Sequence, residues 1–176
     1  MTFKEVPSFV KQLKGMEGIA PRALEFLILT ACRSNEILGA QWDEIDLKER
    51  VWVLPAQRMK AGKEHRVPLS NRALEILQEM EVIRINNFIF PGMKRAMTPM
   101  TFRRVLSRLG LEGITVHGFR SSFRTWAAEQ TDFPREICEM ALAHTIKGQT
   151  EASYWRTDML GKRRELMEAC TKYCED

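Results

Sequence analysis

Apolar residues recur at helical spacing along most of this chain. Ala23, Phe26, Leu27, Thr30 and Ala31 follow Pro21, a residue suited to a first turn, and Ser34 marks a turn, so residues 21–41 read as helix, turn, helix. The pattern then changes. Val51-Trp52-Val53-Leu54 is short, β-branched and aromatic, and Arg66-Val67-Pro68-Leu69 follows across a charged linker containing Gly62; residues 50–69 therefore read as a small β element whose turn carries Lys60 and Lys63. Helical spacing returns after Ser70, a candidate N-cap, and runs to about Arg84. Phe88-Ile89-Phe90 is a brief apolar piece closed by Pro91-Gly92. Thr98-Pro99 opens another helix that Gly110 should end, and further helices are expected over 119–130, 134–142 and 160–173. There is no internal repeat, low-complexity segment or dividing linker. The expected fold class is mainly α with a small antiparallel β-sheet, in one domain.

Composition narrows the class. At 176 residues with 44% hydrophobic and 28% charged positions, the chain suits one globular domain with a sizeable core. Charge interrupts every apolar run well short of the roughly 18 residues a membrane span needs, and the amino terminus carries no secretory signal, so no membrane association is expected. Cys32, Cys138, Cys170 and Cys174 form no CxxC pair and read as buried free thiols of a reducing compartment, which points to the cytoplasm. The scattered methionines and Trp42, Trp52, Trp126 and Trp155 read as packing residues. Net charge is only +4, but residues 94–124 hold seven basic side chains, at 94, 95, 103, 104, 108, 120 and 124, against the single acid Glu112. That stretch is a candidate phosphate-facing surface, although a solvated basic face would look the same.

Three histidines and two tyrosines limit the search for chemistry. No GxxxxGK[ST] or GxGxxG loop is present, the histidines lack partners at zinc-ligand spacing, and no carboxylates converge as a two-metal nuclease requires. Neither a cofactor nor a metal is expected. A cationic clamp is the alternative, because a phosphoryl transition state gathers charge on its non-bridging oxygens and arginine offers a planar, permanently charged fork. Arg33, after an apolar helix, and Arg120, at the start of another, could converge on one phosphate. His117 and His144 can donate to a phosphate oxygen or relay a proton, and Tyr154 can attack phosphorus. Nearby guanidinium groups would favour the phenolate. Taken singly, the arginines read as salt-bridge residues, the two histidines as core or capping groups and Tyr154 as packing. His65, beside the charged hairpin, reads as a solvent or DNA-edge residue.

Together these pieces resemble the catalytic domain of the tyrosine recombinases, the phage-integrase family. That family runs in the order T-G-x-R-x-x-E, a hairpin lysine, H-x-x-R, L-x-H and a carboxyl-side tyrosine. Here stand Thr30-Ala31-Cys32-Arg33-Ser34-Asn35-Glu36, Lys60 within Arg58-Met59-Lys60-Ala61-Gly62-Lys63, His117-Gly118-Phe119-Arg120, Leu142-Ala143-His144 and Tyr154. Ala56-Gln57-Arg58-Met59-Lys60, His65-Arg66-Val67-Pro68-Leu69-Ser70 and Lys162-Arg163-Arg164-Glu165-Leu166-Met167 look like prophage and genomic-island integrases in particular. Ala31 departs from the pattern, standing where the family has glycine.

The resemblance implies the DNA breaking-rejoining fold and site-specific recombination, integrating or excising a prophage or island through a 3′-phosphotyrosyl intermediate. Arg33 and Arg120 would clamp the scissile phosphate, His117 and His144 complete its hydrogen bonds, Lys60 protonate the departing 5′-oxygen, and Tyr154 become joined to the 3′-phosphate. Glu36 would orient the arginine helix. Implied partners are double-stranded DNA attachment sites, other protomers in a synaptic tetramer when full length, and a host DNA-bending factor, at the nucleoid in the bacterial cytoplasm. Residues 1–176 would be the catalytic domain alone, without the amino-terminal core-binding and arm-binding domains, since neither fits in the twenty residues before the first expected helix. The stretch from Gly161 could dock on a neighbouring protomer or fold back. Two readings stay beside recombination: a truncated remnant that binds DNA without recombining, and a type IB topoisomerase-like enzyme.

Overall fold

The computed structural model describes residues 1–92, 96–144 and 157–176. Helix α1 (Val6–Lys14) follows a 3-10 turn at Phe3–Glu5 and carries Pro7 in its first turn. Its Val6, Phe9, Val10 and Leu13 are buried at spacings of three, one and three, one face of a helix. This corrects the expectation that the first helix begins near residue 21; the same periodicity was already present upstream. Helix α2 (Ile19–Thr30) is buried almost all round, including Glu25, and forms the central post of the fold. Arg72 meets the Glu25 carboxylate at 2.8 Å and Arg22 at 3.3 Å, so that buried charge has two partners.

Helix α3 (Ser34–Leu38) begins after a break at Ala31, which sits in the left-handed region at φ 50°. Strands β1 (Ile45–Asp46), β2 (Val51–Leu54) and β3 (His65–Pro68) make one antiparallel sheet in the order β1-β2-β3, with Trp52 paired to Val67 and Leu54 to His65. The short β1 adds a strand to the hairpin expected from the sequence. Helix α4 (Asn71–Val82) starts where Ser70 Oγ accepts the Ala73 amide at 3.4 Å. Helix α5 (Pro99–Arg108) has Pro99 at its start, and Gly110 at φ 69° turns the chain away at its end. Helices α6 (Gly118–Gln130), α7 (Arg135–Ala141) and α8 (Leu160–Glu175) complete the described chain.

Helix α8 packs on α1, α2, α7 and β3 of its own chain. In the single chain this segment thus folds back on its own domain. Tyr173 seals it, stacking on Trp126 at 5.5 Å and donating its hydroxyl to the Phe3 carbonyl at 3.1 Å. Trp52 and Trp126 are core residues and all four cysteines are buried free thiols, as their surroundings in the sequence suggest. Trp155 lies outside the described residues. Among the described residues no helix is long and apolar enough to cross a membrane.

Candidate active site

The site forms where α2 and α7 end against the start of α6. Arg120 lies one turn into α6 and is 5% exposed. Its Nη1 donates to the Ala31 carbonyl just beyond α2, and its Nη2 to the Leu142 carbonyl at the end of α7. Helix C-termini leave such carbonyls without intrahelical partners and carry partial negative charge, so they hold a cation without a carboxylate. Burial first, then the neighbouring charge of Arg33, pushes the Arg120 guanidinium below its ordinary range. Its Nε is buried with no hydrogen-bond partner among the described residues.

Arg33 precedes α3 and is held from two sides. The Glu36 carboxylate accepts its backbone amide at 2.6 Å and its Nη1 at 2.9 Å, while Nη2 reaches the Ala143 carbonyl at 3.5 Å. Glu36 therefore orients the arginine, as expected. His144 owes its place to the end of α7: its amide bonds back to the Glu139 carbonyl and the Ala143 amide to that of Met140, with Ala143 left-handed at φ 48°. This pair of bonds is a Schellman turn with alanine where glycine is usual. His144 Nε2 then stands 3.3 Å from Arg120 Nη2, and Nδ1 2.7 Å from Glu139 Oε2.

Glu139 is a residue that sequence reasoning missed. It takes Arg124 Nε at 2.8 Å on its other oxygen. Burial works against its charge, yet the hydrogen bonds from Arg124 and His144 prevail and hold the carboxyl below its usual range. Only the left-handed Ala143 turn brings His144 back over Glu139, and an alanine gives no warning of such a turn.

Arg33, Lys60 and His117 line one cavity of about 480 Å³ together with Ser34, Glu36 and Arg58. Lys60 and His117 are exposed, on the hairpin between β2 and β3 and at the N-cap of α6 respectively. Five of the six candidate residues thus gather at one place: Arg120 touches His144 and the Leu142 carbonyl, Arg33 reaches the adjacent Ala143 carbonyl, and Lys60 and His117 line the same cavity as Arg33. Tyr154 lies outside the described residues.

Two sequence expectations need correction. His65, read as a solvent or DNA-edge residue, is half-buried at the start of β3; burial, then the Arg163 charge, lowers its pKa to about 4. The basic stretch does not present all its charge outward either. Arg103, Arg104 and Arg108 are exposed on α5, whereas Arg120 is buried in the site and Arg124 is paired with Glu139. Lys94 and Arg95 lie outside the described residues.

The helical body, the three-stranded sheet and the arginine pocket between helix ends define a class, the catalytic domains of tyrosine recombinases. The phage integrase family model matches residues 1–160, and the chain belongs to that family. It is 41% identical over 146 residues to prophage integrase IntA of Escherichia coli K12, covering 80% of this chain and 35% of that protein. It is 32% identical over 172 residues to the integrase of Shigella phage Sf6, covering 93% and 44%. The chain thus spans less than half the length of these relatives. Among solved structures, XerH site-specific recombinase bound to difH substrate superposes with a TM-score of 0.65 at 18% identity, covering 89% of this chain and 52% of that one. A λ integrase (75–356) dimer bound to a COC′ core site gives 0.61 at 21% identity, covering 90% and 59%. Those likenesses establish the fold.

Proposed function

We propose that this chain is the catalytic part of a site-specific recombinase that breaks and rejoins DNA through a 3′-phosphotyrosyl ester. Supporting this, Arg33 and Arg120 arrive from separate helices at one place, each oriented by main-chain carbonyls, with His144 3.3 Å from Arg120. Such an array is pre-set for the charge that grows on two non-bridging oxygens, and needs no rearrangement as it grows.

In the reaction, the Tyr154 oxygen gives up its proton to water and attacks phosphorus while the bond from phosphorus to the 5′-oxygen breaks. The electron pair leaves on that oxygen, and Lys60 supplies the proton that makes it a hydroxyl. His117 and His144 hydrogen-bond the phosphate, and Glu139 keeps the His144 ring in position. Religation reverses these steps with a 5′-hydroxyl as nucleophile, so the phosphotyrosyl bond carries the energy and no nucleotide is consumed. We read this chemistry as integration and excision of a prophage or island, a reading supported by relatives named prophage integrase and integrase; the partners proposed with it are DNA attachment sites, further protomers and a host DNA-bending factor.

The test is covalent capture on a pool of nicked duplexes randomised across the cleavage region, at low salt with EDTA, read by intact mass. An adduct that Tyr154→Phe abolishes without loss of DNA binding is expected. An undiminished adduct in that variant assigns the nucleophile elsewhere, and binding without any adduct favours a DNA-binding remnant.

A further inference from the structure

Between Gln57 and Glu64 only Arg58 and Met59 turn inward; the rest of this hairpin, Lys60 included, is exposed. Met59 enters the core. Arg58 does something different. Its Nη1 donates to both carboxylate oxygens of Glu44, and its Nη2 to the main-chain carbonyl of Glu36. Glu44 closes the 3-10 turn Trp42–Glu44 before β1 and also accepts the indole N–H of fully buried Trp52 at 2.9 Å. Glu36 is the residue whose carboxylate holds Arg33. One guanidinium therefore ties the base of the lysine hairpin both to the sheet and to the helix that orients the arginine clamp.

Gly39 lies beside this path. A Cβ there would stand 3.0 Å from Arg58 Nη2, tight enough that the guanidinium would have to give by a few tenths of an ångström, and at ordinary contact distance, 3.5 Å, from its Cζ. Arginine suits the position because its fork serves a carboxylate and a carbonyl at once; lysine, with a single ammonium on a flexible stem, does not fix direction in the same way.

We infer that Arg58 is a positioning residue for proton delivery: by pinning the hairpin base to Glu36 and Glu44, it sets where Lys60 reaches relative to Arg33. The inference rests on Lys60 being the general acid. A lysine two residues beyond a loose anchor spends less time at the 5′-oxygen, so losing Arg58 slows the departure of that oxygen and leaves the phosphate clamp working. Misplacing a reacting group by about 1 Å is enough to cost on the order of a hundredfold in rate.

The experiment uses the whole chain and a duplex captured from the randomised pool, made with either oxygen or sulfur at the 5′-bridging position of the scissile phosphate. A thiolate leaves without a proton, so sulfur removes the need for a general acid while keeping attack and clamp. On oxygen DNA, Arg58→Met and Lys60→Ala should both slow adduct formation tenfold or more, and Gly39→Ala, which only displaces the guanidinium, by a smaller factor. On sulfur DNA all three should return to within about threefold of the unaltered chain, while Arg33→Ala stays slow. Unaltered cleavage of oxygen DNA by Arg58→Met overturns the inference. So does a defect that persists on sulfur DNA while Lys60→Ala is rescued, because Arg58 then serves the clamp or the fold. Failure of sulfur to rescue Lys60→Ala, or absence of any adduct, overturns the general-acid reading and this inference with it. Should Arg58→Met melt below the assay temperature, the oxygen-to-sulfur ratio of Gly39→Ala decides in the same way.

Discussion

Arg120 is held by carbonyl oxygens, whereas Arg33 spends part of its charge on Glu36. A buried guanidinium satisfied only by dipoles keeps most of its field for an incoming anion, and that arrangement depends on how α2 and α7 end. Both ends use an alanine in the left-handed region, Ala31 at φ 50° and Ala143 at φ 48°. An L-residue pays roughly 1–2 kcal/mol there, part of which glycine returns as lost chain entropy. Ala31→Gly, which restores the residue usual in the family, should therefore raise stability by about 0.5–1 kcal/mol in urea denaturation. A lower midpoint would mean that the Ala31 methyl, in a residue 2% exposed, packs more favourably than its backbone is strained. His65 makes a second residue-scale prediction. Its pKa falls from 6.5 to about 4 on folding, chiefly through burial and then through Arg163. Above pH 6.5 the imidazole is neutral in both states; as pH falls towards 4 the unfolded chain takes up a proton that the folded one refuses. Stability should then drop by on the order of 2–3 kcal/mol across that window. His65→Gln should flatten the melting temperature between pH 6.5 and 4.5, and an unchanged acid slope would show that another group titrates.

Among the elements, α8 is the one that follows Tyr154, the proposed nucleophile, most closely in the sequence, so its attachment bears on the proposed reaction. Its anchor is Arg163, 1% exposed, which donates Nε to the Asp158 carbonyl at 2.7 Å, Nη2 to the Asp158 carboxylate at 3.0 Å and Nη1 to the Arg66 carbonyl on β3. The Arg66 side chain reaches the same carboxylate at 3.3 Å. One aspartate, four residues after Tyr154, is thus gripped from β3 and from α8. Arg163→Met strands one buried strand carbonyl and loosens a half-solvated carboxylate, a cost of about 2–3 kcal/mol. Hydrogen exchange should report it as lost protection in the first two turns of α8, with the last turns kept by Tyr173 and the buried Cys170 and Cys174. Uniform loss along all of α8 would show that the helix docks as one unit and that Arg163 is not its separate latch. Element types were legible in the sequence because caps and periods agree: Ser70 before α4, Thr98-Pro99 before α5 and Gly110 after it each mark a boundary. Helix α1 was overlooked although Val6, Phe9, Val10 and Leu13 share one face. The alanine-built turns gave no signal, since left-handed backbone is foretold by glycine. The destination of Arg58 depends on Glu44 and the Glu36 carbonyl, 14 and 22 residues away, which no local pattern encodes.

For the molecule as a whole, the six candidate positions were readable as an ordered set, while their supports, Glu139, Arg58 and Glu44, belong to tertiary structure. The same division applies to charge. A net +4 suggests little, yet the fold leaves Arg103 and Arg104 exposed along a groove of about 640 Å³ that shares the lining residue Ser34 with the cavity of Arg33, Lys60 and His117. Arg120 and Arg124, from the same basic stretch, are withdrawn into the site and its Glu139 support. A duplex lying over both would set backbone phosphates beside the guanidinium groups of α5 as well as beside Arg33. Each phosphate neutralised on duplex DNA contributes about 0.9 to the slope of log affinity against log salt. Arg103→Ala with Arg104→Ala should therefore lower that slope by about 2 and weaken binding across all sequences, without changing which duplexes are captured from the randomised pool. An unchanged slope would place the duplex elsewhere on the surface. A changed capture preference at constant slope would make these arginines readers of base edges, so the salt titration and the sequenced adducts together decide what the groove does.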